Sequence, residues 1–218
     1  MHIIVSPTFR EINPEFRGAY LIATVKNYEH NPALWQYIEE FSTSYRERYT
    51  TDSIKEIEAI QATRTAYKRS GKDPSRYRPS SESLCRRLLK GQALYQVNTL
   101  VDLINVVSIA SGHSIGGFDL QKIAGDTLTL DIGIEGEAYE GIGRGSLNIA
   151  GLPVYRDAQG GIGTPTSDHE RTKIDLTTSS ILTIINAYNG AGLEESIAFM
   201  KELLEKYAQA TAITIIYF

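Results

Sequence analysis

Groups able to do chemistry gather in two short runs on either side of a glycine-studded middle. The first is Val101-Asp102-Leu103-Ile104-Asn105, followed after an apolar stretch by Gly112-His113-Ser114-Ile115-Gly116-Gly117-Phe118-Asp119. The second is Ser167-Asp168-His169-Glu170-Arg171-Thr172-Lys173-Ile174, with Thr178 and Ile181-Leu182 downstream. Gly116 and Gly117 can bring backbone N–H groups close to a substrate, as a developing oxyanion requires. Ser167, Asp168 and His169 are contiguous, and adjacent side chains rarely converge into a catalytic triad, so that reading is set aside. For Glu170 the plain alternative is a surface ion pair with Arg171 or Lys173. Asp102 on a helix and Asp119 at a helix cap read as structural. The single cysteine, Cys85, and the lack of any His/Cys cluster argue against a metal site, and no cofactor is expected.

A second feature is electrostatic. The net charge is −4, yet the segment 64–91 carries nine cations against only Asp73 and Glu82. Arg64, Lys68, Arg76, Arg78, Arg86 and Arg87 form the candidate RNA-contacting set, with Tyr67 and Tyr77 interleaved; such a strip can hold phosphates while stacking on bases. A solvated helical face is the competing reading.

These residues need elements to position them. Val5 and the alternating run 19–25 predict opening strands. Asn31-Pro32 starts a helix with Leu34, Tyr37, Ile38, Phe41 and Tyr45 at helical spacing. A second helix is predicted from an Asp52-Ser53 cap to Gly71, a third from a Ser80 or Ser81 cap, and a fourth from Asn98 to Gly112. Beyond Gly125 the texture turns to β: a strand at 127–132, short glycine-joined strands, a buried strand at 181–187, an amphipathic helix at 193–208 and a final strand at 212–218. Helices early and strands late predict a single α+β domain over 1–218, with helices mainly in the first half and a glycine-rich mixed sheet in the second. The run Gly141-Ile142-Gly143-Arg144-Gly145-Ser146 lacks the strand-to-helix frame of a dinucleotide site, and no Walker sequence is present.

The two polar runs, in this order and spacing, resemble the B3/B4 editing domain of the bacterial phenylalanyl-tRNA synthetase β subunit. That domain reads V-D-x-x-N, then G-x-x-x-H-x-F-D, then E-H-S-x-V-x-x-x-T-x-x-V-L. The resemblance is strongest over 64–186. It implies a freestanding domain that hydrolyses the ester of a mischarged tRNA in trans, of the tyrosyl-tRNA(Phe) type or another aminoacyl-tRNA, without the aminoacylation core. It places Glu170 at the glutamate that senses the para-hydroxyl of misattached tyrosine, Thr172 at the serine and Asn105 at the pocket asparagine, with His169 beside them. A buried carboxylate favours a hydroxyl donor and gives a phenyl ring nothing. Three positions depart from the pattern: Gly116 replaces the histidine, Ile104 a threonine and Tyr95 an arginine. His113 is the nearby imidazole that would substitute for the missing histidine.

Catalytic candidates are therefore Asn105, His113, Gly116 and Gly117, with Glu170, Thr172 and His169 as substrate-binding residues. A non-catalytic RNA-binding module and a sensor of a free amino acid stand beside the deacylase reading. The expected partner is tRNA or aminoacyl-tRNA, with neither membrane nor DNA. No signal-peptide pattern opens the chain and no apolar run approaches the ~20 residues that span a bilayer, so a cytoplasmic protein is expected.

Overall fold

The computed structural model describes residues 1–218. In chain order the first half holds β1 (His2–Val5), α1 (Pro7–Ile12), β2 (Arg17–Thr24), α2 (Pro32–Arg48), α3 (Glu58–Arg69), α4 (Ser80–Leu89) and α5 (Thr99–Ser111). The second half holds β3 (Ile115–Asp119), β4 (Thr127–Ile132), β5 (Glu140–Gly141), β6 (Gly145–Ser146), β7 (Pro153–Asp157), β8 (Gly160–Gly163), β9 (Ser180–Ala187), α6 (Leu193–Ala208) and β10 (Thr211–Tyr217). This is the predicted α+β class, with most helices early.

The architecture follows from β9. Its apolar run is paired on both edges, antiparallel to β2 and to β3, and β10 extends the sheet beyond β2. Alternate side chains therefore enter different cores. Ile181, Ile185 and Ala187 join α2, α5 and α6, whereas Leu182 and Ile184 join Phe9, Phe118, Leu128, Leu130 and Ile162. That second core is closed by another sheet, ordered β1-β4-β7-β8, so the β9 sheet lies between helices and strands. Because α5 is sunk in the helical layer, its hydrophobicity runs around most of its circumference. Asn98 caps its first turn by accepting from Val101 N–H, and Gly112 ends it in the left-handed conformation. No helix is long and apolar enough to cross a membrane.

Several local expectations are corrected. The predicted helix from Asp52 to Gly71 is broken: Ser53–Glu56 form a 3-10 turn, Ile57 is extended, and α3 starts at Glu58. Asp52 makes no capping hydrogen bond. Neither Ser80 nor Ser81 caps α4; Pro79 holds the cap position, and the buried Ser81 hydroxyl meets that of Ser114 at 3.3 Å. The short helix α1 and the strand β3 have no counterpart among the predicted elements.

Candidate functional site

β3 is the free edge of its sheet, and the polar run 167–174 closes over that edge. Gly163 bridges Asp168 and Gly141 bridges His169, so the run lies between β8 and the hairpin β5–β6. Arg171 pins it from below with a bidentate grip on the buried Asp157, at 2.8 and 2.9 Å. Tyr139 donates to the Ser167 carbonyl at 2.7 Å and meets the His169 ring edge-on at 4.9 Å.

The result is a niche around the Asp168 carboxylate. Its Oδ2 accepts the Gly117 N–H at 3.1 Å. A Cβ on Gly163 would stand 3.0 Å from Oδ1, and one on Gly116 3.7 Å from it. Ile104 of α5 and Ile174 fill the side-chain position of Gly117, and the Phe118 ring fills those of Gly116 and Gly163. Three glycines from two strands make this close approach of Phe118, Ile104, Ile174 and Asp168 sterically feasible. Burial raises the Asp168 pKa to about 7, with the Gly117 N–H opposing it more weakly. Sequence reasoning did not single out Asp168 because its environment is assembled from separate elements; its place in the second polar run was the available signal.

The predicted residues divide. Gly116 and Gly117 do meet the 168–174 segment, but their amides are not free. Gly117 N–H serves Asp168, and the alternation of an antiparallel edge strand turns that of Gly116 toward β9. Asn105 is half-buried on α5, one residue beyond Ile104, without a side-chain hydrogen bond. His113 goes elsewhere: its ring is buried near Gly192 at the start of α6, with Nδ1 unpartnered and its pKa lowered by desolvation. It lies three residues before Gly116, and its ring packs at Gly192, so it does not replace an imidazole at Gly116.

Glu170 is partly exposed and forms the plain ion pair, 2.6 Å from Lys173 Nζ, while accepting the Gly143 N–H at 3.3 Å. The Thr172 hydroxyl is buried without a partner. His169 Nδ1 accepts from Arg171 N–H at 2.9 Å, and desolvation, then Arg171, hold its pKa below the ordinary value. Among the other matched positions, Asp119 accepts from Thr178 and from Gln121 N–H, and Asp102 from Trp35 and Val97 N–H. Those two carboxylates hold the fold, as the sequence suggests.

The basic strip is likewise split. Glu82, 1% exposed, is surrounded by Arg64 and Arg86 at 2.8 Å and Arg78 at 3.6 Å. Lys72 is buried, donating to the Asn148 carbonyl and covering the Tyr77 ring. Lys68 and Arg76 remain exposed. Arg78 and Arg86 also join Arg87, Lys90, Arg144 and Tyr95 around a cavity of about 350 Å³ lined by no carboxylate. The Arg87 guanidinium stacks 3.8 Å from the Tyr95 ring centre. Arg144 reaches this groove from the hairpin tip, between Gly143 and Gly145, both of which have positive φ. Asp168, Gly116 and Gly117 line neither this cavity nor one of about 390 Å³ beside α2.

The hairpin links groove to niche, since Ile142 N–H donates to the Asp168 carbonyl at 2.9 Å, two residues before Arg144. One hairpin thus joins a carboxylate-free cluster of cations to the segment that carries Asp168.

Gly116→His, which would install the imidazole of the resembling motif, is expected to destabilise the protein. The backbone is not in the left-handed region, so strain is not the cause. The added Cβ would sit 2.7 Å from the ring of the fully buried Phe118. Overpacking of this kind costs about 1–3 kcal/mol. Urea denaturation checks it, and an unshifted midpoint would refute the clash.

A family model described as "B3/4 domain" matches residues 62–211. Among solved structures, an N-terminal fragment of the phenylalanyl-tRNA synthetase β subunit from Pyrococcus horikoshii superposes with a TM-score of 0.55 at 11% identity. The match covers 99% of this chain and 53% of that one, so the chain spans about half the length of the fragment, and the likeness is one of fold. No curated protein sequence matches.

Proposed function

The chain belongs to the B3/4 domain family, and from that premise we propose that it binds tRNA and hydrolyses the ester of a misattached amino acid in trans. The observation that carries the reading is the shared hairpin: Arg144 at its tip lines the carboxylate-free groove, and its backbone is bonded to Asp168 in the niche. In this reading the groove holds phosphates near the tRNA 3′ end, Tyr95 offers a face for a base, and the niche receives the ester. Asn105 and the 169–172 segment flank the aminoacyl group, with Glu170 as the acceptor for a side-chain hydroxyl. An aminoacyl ester is activated already, so orienting one water suffices where a peptide would need more. The fold likeness to the β-subunit fragment supports a tRNA-linked role.

A second reading, RNA binding without hydrolysis, is favoured by one observation: the Glu170 carboxylate is occupied by Lys173 at the surface.

The test is deacylation of a panel of mischarged tRNAs by the wild-type protein. Hydrolysis of at least one is expected; none would leave the binding reading. For the groove, Arg87→Ala, Lys90→Ala and Arg144→Ala together are expected to weaken tRNA binding and flatten the dependence of log K on log salt by about 2–3, at roughly 0.7–0.9 per phosphate contact. An unchanged salt slope would reject the groove as the contact surface. These three are chosen because Arg78 and Arg86 also neutralise Glu82, so reversing them would mix folding with binding.

A further inference from the structure

The buried and half-buried aspartates of this molecule are tied down by several partners. Asp157 accepts a bidentate arginine and the N–H groups of Ala124, Gln159 and Gly160. Asp119 has Thr178, Gln121 N–H and Lys122, and Asp102 has Trp35 and Val97 N–H. Asp168 is different. Its carboxylate accepts one hydrogen bond, from Gly117 N–H to Oδ2, and has no ion pair. Oδ1 has no protein partner, yet it is not one of the buried orphaned atoms, which are confined to His113, Thr172, Thr183 and Tyr188. Asp168 as a residue is half-buried, between the core and the surface. Oδ1 is thus an acceptor oxygen that the fold itself does not use.

We infer that Asp168 is the catalytic proton acceptor of the hydrolysis proposed above, with Oδ1 taking a proton from the attacking water; this rests on that reading of the function. The water oxygen forms a bond to the ester carbonyl carbon as its proton passes to Oδ1. The tetrahedral intermediate then breaks the carbon–oxygen bond to the ribose, and the proton held by Asp168 goes to the departing ribose oxygen. Free amino acid and tRNA leave, and Asp168 is returned as the carboxylate. Gly117 N–H keeps Oδ2 fixed, so Oδ1 alone faces the reacting groups.

The surroundings poise this group. Desolvation lifts it to about 7, where a general base is efficient near neutral pH. Among titratable groups on the packed elements, Tyr139 has its pKa raised by burial and, next, by the Asp168 carboxylate. His169 and Glu140 lie on the neighbouring strand and hairpin, Arg144 points to the groove, Arg171 is taken by Asp157, Glu170 by Lys173, and Asp119 by Thr178 and Lys122.

The experiment compares wild type with Asp168→Asn on the most reactive tRNA of the panel, after subtracting spontaneous hydrolysis. Wild-type rate is expected to climb about tenfold per pH unit below pH 7 and level off above it, while the variant loses about 10²–10⁴-fold and that profile, with tRNA affinity kept. Stability gives a readout free of activity. A carboxyl whose folded pKa is raised favours the native state while it is protonated, and that contribution is lost as pH rises from about 4 to about 7. Wild-type stability should therefore carry a downward component across this window that Asp168→Asn lacks. A variant that hydrolyses at the wild-type rate would overturn the role of Asp168 and leave the deacylase reading standing. A wild type inactive on every tRNA would remove that reading, and the assignment with it.

Discussion

Gly133→Ala is expected to lower the melting temperature by about 6–12 °C, from a cost of about 3 kcal/mol in a chain of this size. The new methyl would lie 2.1 Å from the Ile149 carbonyl oxygen. Backbone cannot swing aside as a side-chain tip can. Gly133 N–H donates to the Leu152 carbonyl, and the Gly133 carbonyl accepts from Gly151 N–H, both at 2.8 Å. These bonds close the neck of the excursion between β4 and β7. Ser70 Oγ and Lys72 Nζ fasten the same excursion to the end of α3 through the carbonyls of Gly151 and Asn148. The excursion carries the hairpin that puts Arg144 in the groove and bonds the Asp168 carbonyl, so phosphate binding should weaken together with stability. Gly136→Ala is the control: its φ of +74° imposes strain, but nothing lies within 4 Å of the added methyl. That change should cost only about 1–2 kcal/mol. Equal melting temperatures for the two variants would show that the neck yields, and the steric argument would fall.

What the sequence revealed depended on whether a feature was periodic or assembled. The spacing of Leu193, Ile197, Met200, Leu204 and Tyr207 defines α6 without outside help, and its bounds were legible. The Asn31-Pro32 start and the Asn98 cap were legible for the same local reason. β3 was hidden because Gly116 and Gly117 are weak strand formers, made extended by pairing with β9. α1 is a six-residue helix, too short to show a period. The break at Ile57 escaped because Ile54, Ile57 and Ile60 are spaced as a helix would space them, while the chain straightens between Ile54 and Ile60.

The site shows the same division. Matched motif positions pointed to β3 and the 168–174 segment, and these do come together. The carboxylate bonded to β3 is Asp168, and Glu170 turns to Lys173. The excess charge of 64–91 was legible as composition, but a linear count could not show that three of its arginines surround one glutamate. Nor could it show that Arg144, more than fifty residues downstream of that segment, completes the groove. Tyr95, a departure from the resembling motif, supplies the aromatic face there.

Glu82→Ala is expected to cost about 2–3 kcal/mol, although it deletes a single carboxylate from a strip that looks solvated in sequence. Glu82 is 1% exposed and accepts charge-assisted hydrogen bonds from Arg64 Nη1 and Arg86 Nε, each at 2.8 Å. Such bonds to charged groups are worth about 1.5–3 kcal/mol. Removing one member of a fully buried pair can cost about 3–5 kcal/mol, but here the arginine side chains keep 21% to 44% of their exposure and can turn to water, which lowers the figure. Losing the carboxylate also joins α3 to α4 less firmly, because Arg64 stands on one helix and Glu82 on the other. The effect on RNA runs the opposite way. The variant gains one positive charge beside the groove, so tRNA binding at low salt should tighten while its salt dependence steepens. Glu82→Gln separates the two causes: it keeps the shape and an acceptor oxygen, so it should recover part of the stability while retaining the gain in salt dependence. Thermal melts and salt titrations on both variants supply the comparison. A Glu82→Ala protein as stable as wild type would show that the three arginines do not need their shared partner, and that most of the strip is free to meet phosphate.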